Sequence, residues 1–109
     1  MKALLSGATE TGAGSLWKLS NSTDIHTVQV VFTGTITALT VALEGSIDED
    51  NIAVLQTHTL SAGEISAKAA MFHVVNKLVE YVRINITTFT GSGSVTVSHS
   101  PAKSDALQI

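Results

Sequence analysis

Ile25-His-Thr-Val-Gln-Val-Val-Phe-Thr-Gly34 is the stretch from which the fold is read. His26, Val28, Val30 and Phe32 fall on one parity, and Thr27, Gln29 and Thr33 on the other. This is the two-residue period of a strand with one buried face. Val31 interrupts the alternation without removing it. Leu39-Thr-Val-Ala-Leu-Glu44 repeats the pattern, with Leu39, Val41 and Leu43 on one side and Thr40, Ala42 and Glu44 on the other. Gly34-Thr-Ile-Thr37 lies between them and reads as a tight connection, so the two strands are expected to pair as a hairpin.

Working outward, Gly45 to Asn51 reads as a loop, because Gly, Ser, Asp and Asn supply turn conformations and local side-chain bonds. A short strand follows from Ile52 to His58, and Ser61-Ala-Gly-Glu64 is a turn. Ile65 to Val75 mixes helix formers (its alanines, Lys68 and Met71) with strand formers (Phe72, Val74 and Val75), and is assigned mostly to strand. Asn76 and Lys77 turn the chain into Val79 to Thr88, where Val82, Ile84 and Ile86 oppose Tyr81, Arg83, Asn85 and Thr87. Gly91-Ser-Gly93 reverses it into Ser94 to His99, with Val95 and Val97 buried. The expected core is Val28, Val30, Phe32, Leu39, Val41, Leu43, Val82, Ile84, Ile86, Val95 and Val97. Short strands spaced by turns predict an all-β fold, an antiparallel β-sandwich or jelly roll over residues 15–100. Residues 1–14 and 101–109 are expected as extended terminal arms that order only against a partner.

The chain has 109 residues, one domain's worth, with 44% apolar and 14% charged residues. That balance excludes a disordered chain. A net charge of −3 offers no basic field for a phosphate backbone, so no nucleic-acid partner is expected. With no cysteine, thiolate zinc sites, disulfides and cysteine nucleophiles are excluded together. Met1 to Leu5 is too short for the apolar core of a secretory signal, and the run Val28 to Phe32 is too short to span a bilayer. The expectation is a chain made in the cytoplasm, with no membrane partner.

Candidate chemistry is sparse. Asp48-Glu-Asp-Asn51 gathers oxygen ligands but lacks the spacing of a calcium loop, and reads better as a solvated hairpin tip. His26, His58, His73 and His99 match no zinc spacing. No serine sits in a Gly-x-Ser-x-Gly elbow, and no aromatic platform accompanies the acids, so no catalytic residue, metal or cofactor is assigned. Trp17 is the only tryptophan, and its area suits a core or an interface. Leu4 and Leu5 near one end, and Leu107 and Ile109 at the other, would be unfavourably exposed on a free arm. These five residues are the candidate interface.

Val41-Ala-Leu-Glu-Gly-Ser-Ile-Asp-Glu-Asp-Asn-Ile-Ala-Val-Leu55 resembles a strand-loop-strand of discoidin-like jelly rolls, and Glu80-Tyr-Val-Arg-Ile-Asn-Ile-Thr87 resembles the later Tyr-Val-Arg strand of that family. These segments, with Thr57-His-Thr-Leu-Ser-Ala-Gly-Glu64 between and Thr90-Gly-Ser-Gly-Ser-Val-Thr-Val97 after, are also similar to small bacteriophage virion proteins. The resemblance covers about residues 25–100. It departs from the discoidin pattern at Ile52, where tryptophan is usual. It implies a non-catalytic virion structural protein, foremost a capsid decoration (cement) protein bound to a major capsid protein. A neck, tail or tail-fibre module binding carbohydrate or another virion protein is the alternative. A homo-oligomer is implied, with a trimer favoured by the threefold sites of icosahedral shells.

Overall fold

The computed structural model describes residues 2–102, except for the side chains of residues 20–22. Its elements in chain order are β1 (Lys2–Ala8), β2 (Gly12–Ala13), β3 (Trp17–Ser46), β4 (Ala53–Thr59), α1 (Ala62–Ala67) and β5 (Ala69–Ala102). All strand pairings are antiparallel. β3 and β5 run for 30 and 34 residues, several times a usual strand, because each bends and serves two layers.

In the first layer, residues 25–31 of β3 lie between residues 69–75 and 96–102 of β5. β1 pairs on the far side of residues 95–99. In the second, residues 38–46 of β3 lie between β4 and residues 81–90 of β5. β2 and residues 17–18 flank that part of β5 on its other side. The β3–β5 ladder passes from one layer to the other through Gly34↔Gly93 and Ile36↔Gly91. A two-stranded ribbon folded over itself in this way is the construction of a jelly roll.

Residues 25–34 and 39–44 therefore do not form the expected hairpin. They are successive stretches of one strand, and each pairs with β5. Gly91-Ser-Gly93 likewise sits within the ladder. The cause is the glycines facing each other at the fold of the ribbon. Gly34, Gly91 and Gly93 have φ of 94°, 113° and 154°, and a Cβ on Gly34 would stand 2.6 Å from the Gly93 Cα. A Cβ on Gly91 or Gly93 would run into the carbonyl oxygens of Thr35 or Thr33. The backbones meet there more closely than side chains permit, so the pair bends together.

The eleven residues expected in the core are all buried between the layers. Leu19, Ile36, Leu60, Ala70, Phe72, Val74 and Val79 join them. The stretch from Ile65 to Val75 is divided. Ser61 and Glu64 form a capping box that starts α1, and Lys68, at φ 58°, ends it and releases the chain into strand at Ala69.

The N-terminal arm is corrected as well. Residues 2–8 form an edge strand against residues 95–99, and residues 12–13 pair with Asn85 and Ile86. Leu4 and Leu5 pack partly buried against the core. Register shifts between Ala3 and Leu5 and between Leu5 and Ala8 explain why no clean alternation marks this strand. At the other end, Pro101 and Ala102 still pair with His26 and Ile25. Residues 103–109 lie outside the described residues, and with them the interface candidates Leu107 and Ile109.

Candidate functional site

Residues 69–75 are bounded by two residues in left-handed conformation, Lys68 and Asn76, at φ 58° and 61°. Within this stretch Ala70, Phe72 and Val74 point inward and are buried, while Met71, His73 and Val75 are exposed on the outer face. Alternation of this kind fixes which side chains a strand offers to its surroundings. On one side the stretch pairs with residues 25–31. Its other edge has no ladder partner among the described residues. Met71, Val75 and Leu78 are 52%, 54% and 59% exposed, and Val31, beside Ala69 on the neighbouring strand, is 39% exposed. An open strand edge with apolar side chains on its outer face is a ready template for a further strand.

A second feature lies inside the sandwich. His26 and His99 are both fully buried, stacked with ring centroids 5.1 Å apart. His26 Nε2 lies 2.9 Å from the Lys77 carbonyl oxygen, and His26 Nδ1 lies 2.9 Å from His99 Nε2. A carbonyl only accepts, so in the neutral pair His26 carries its proton on Nε2. Its bare Nδ1 then accepts from His99 Nε2–H. Burial, reinforced by the charge His26 can carry, depresses the His99 imidazole to about 4. The pair thus ties together an early part of β3, the end of β5 and the Asn76–Lys77 step, which lies within β5 as a register irregularity rather than as the expected turn.

The carboxylates of Glu44, Asp48 and Glu64 are also engaged in structure. Glu44 is buried, with Oε1 accepting from Arg83 Nε at 2.6 Å and Oε2 from Asn85 Nδ2 at 3.1 Å. Asp48 Oδ1 accepts from Ser46 Oγ and from the backbone N–H groups of Asp50 and Asn51, and Oδ2 accepts from Asn51 Nδ2 at 2.8 Å. These bonds, led by that of the Asn51 backbone, hold its carboxyl well below the usual carboxylate range. They close the loop on itself, as expected of a solvated tip. Glu64 caps α1 and lies 3.0 Å from His58 Nε2, and the Ser61 N–H lowers its carboxyl. His58 in turn stacks on Phe72, with centroids 5.2 Å apart.

The four histidines are therefore not gathered. His26 and His99 meet inside, His58 joins Glu64, and His73 lies on the outer face with Nδ1 3.1 Å from Thr27 Oγ1. Among the described residues no three His, Cys, Asp or Glu side chains come together in a way that could hold a metal ion. No helix among them is long and apolar enough to cross a membrane.

Of the sequence-selected interface residues, Trp17 is 44% exposed, with Lys2 Nζ 3.8 Å from its ring centroid. That cation–π contact joins the starts of β1 and β3 across the rim of the sandwich. Leu4 and Leu5 serve the chain's own core. The exposed row at Met71 and Val75 was not singled out from sequence. Its signal was the same two-residue alternation that marks the core strands, here with apolar residues on both parities. Compared with known proteins, the chain matches no family model and no curated sequence.

Proposed function

We propose that the chain is a non-catalytic structural protein of a bacteriophage particle, foremost a decoration protein that covers the head shell and binds the major capsid protein. The observation that carries this reading is the open, apolar outer edge at residues 69–78. It is a surface suited to protein contact, on a domain whose buried Glu44 and whose Asp48 loop are engaged in its own fold. The resemblance of residues 25–100 to small virion proteins supplies the setting. Such a protein would be made in the host cytoplasm and act in the virion.

Quantitative mass spectrometry of purified particles from the encoding phage, paired with binding of the purified chain to expanded shells, tests this. Many copies per particle and saturable shell binding are expected. Absence from the particles would overturn the reading. Few copies together with selective glycan binding would favour a tail-fibre module instead.

A further inference from the structure

We propose that residues 70–76 pair edge to edge with the same residues of a second copy of this chain, antiparallel about a twofold axis at His73. The inference rests on the structural reading above, and it names the partner for the exposed edge. The edge offers a row of backbone donors and acceptors with no ladder partner among the described residues, which a strand satisfies better than an irregular surface does.

The second copy is favoured by self-complementarity. Ala69-Ala-Met-Phe-His-Val-Val-Asn76 contains no charged residue. Turned antiparallel about His73, it sets Met71 beside the partner's Val75 and Val75 beside the partner's Met71 on the outer face. The flanking lysines also avoid each other: Lys68 falls opposite the partner's Leu78, and Lys77 opposite the partner's Ala69. Shifting the twofold to Phe72 would set Met71 against the partner's His73 and leave Val75 facing only Ala69, so the His73 register joins the most apolar surface. Hydrogen bonding to Thr27 Oγ1 already orients the His73 ring at the axis. A twofold contact of this kind is isologous, each copy using one patch. It makes a dimer rather than the trimer that the resemblance favours.

Area sets the strength. The exposed parts of Met71, Val75, Leu78 and Val31 amount to roughly 300–400 Å² per copy, and edge pairing covers only the flanks of these outward side chains, so the pair buries well under about 700 Å², below the roughly 1,200 Å² of durable complexes. The dimer is therefore weak and concentration-dependent in solution. It strengthens where a shell holds copies side by side, because neighbours then meet at high effective concentration.

Sedimentation equilibrium of the full chain from about 1 µM to about 1 mM tests the proposal. The mass is expected to rise from 11.4 kDa toward twice that value. The double variant Met71→Lys with Val75→Lys places like charges opposite each other across the axis, and is expected to stay monomeric. Met71→Lys with Val75→Glu places opposite charges there and is expected to recover dimerisation, in a salt-dependent way. Both positions are about half exposed, and circular dichroism checks that each variant folds. A chain that is monomeric throughout or trimeric, a double-lysine variant that still dimerises, or a Lys/Glu variant that does not recover would each overturn the pairing. A monomeric chain that is nevertheless abundant in particles removes the edge pairing alone. A dimer absent from particles removes the virion reading alone.

Discussion

His99 lies where water cannot solvate a charge, and its imidazole, at about 4, takes up a proton far less readily than it would in the unfolded chain, where about 6.5 is usual. A proton therefore favours the unfolded state between those values. Stability is full above about pH 6.5 and is lost as the pH falls toward 4, by about 2–3 kcal/mol. Asp48 and Glu64, both held low, contribute stability that is lost mainly below that window. Urea midpoints measured from pH 7.5 to 4 should show the decline, and His99→Gln, which keeps a donor for His26 without titrating, should flatten it. Equal slopes in the two proteins would reject the histidine as the cause. At Glu44 the prediction concerns a partner. Arg83→Ala leaves Oε1 of a buried carboxylate without its shortest bond and should cost about 1–3 kcal/mol in chemical denaturation, whereas Arg83→Lys should lose less.

At the scale of elements, the fold of the ribbon depends on the absence of side chains where two backbones cross. Gly91→Ala and Gly93→Ala each force a Cβ onto a carbonyl oxygen at positive φ, and should lower stability by about 2 kcal/mol or more. Gly63 stands in α1 with its nearest foreign atom, Ser61 Oγ, at 4.0 Å. Gly63→Ala should raise stability by about 0.5–1 kcal/mol, since it removes unfolded-state freedom at no steric cost. Thermal melts of the three variants decide both points. The strands themselves were legible because burial between two layers imposes alternation on Val28 to Phe32, Leu39 to Leu43 and Val82 to Ile86. Their partners were not. Glycine beside threonine reads equally as a turn or as a bend within a ladder, and only the facing glycines on the other strand distinguish the two. The start of α1 was written in Ser61-x-x-Glu64, a local signal that the strand-like residues after it obscured. Of the candidate surface, Met71 and Val75 were visible as residues but not as an exposed row, because Phe72 and Val74 beside them are equally apolar and exposure depends on which parity faces the core.

For the whole molecule, sequence separation governs how the pieces depend on each other. β1, at the start of the described chain, completes a layer by pairing with residues 95–99 near its end. Leu4 and Leu5 pack on the core, and Lys2 covers the Trp17 ring. A terminal arm that waits for a partner could be removed without loss to the free protein, whereas an integral edge strand could not. Deleting residues 1–8 strips one edge from the first layer and uncovers Val95 and Val97, both fully buried in the intact chain. The loss in apolar burial alone should be about 2–4 kcal/mol. Because the contact joins distant parts of the chain, its formation carries a large loop-closure cost, and it should consolidate late in folding. The deletion should then act mainly by speeding unfolding while leaving the folding rate nearly unchanged, as for contacts absent from the transition state. Stopped-flow chevrons of the full and shortened chains test this. Coincident unfolding limbs, or an unchanged midpoint, would return residues 1–8 to the status of an arm. A slowed folding limb would instead place β1 in the folding nucleus.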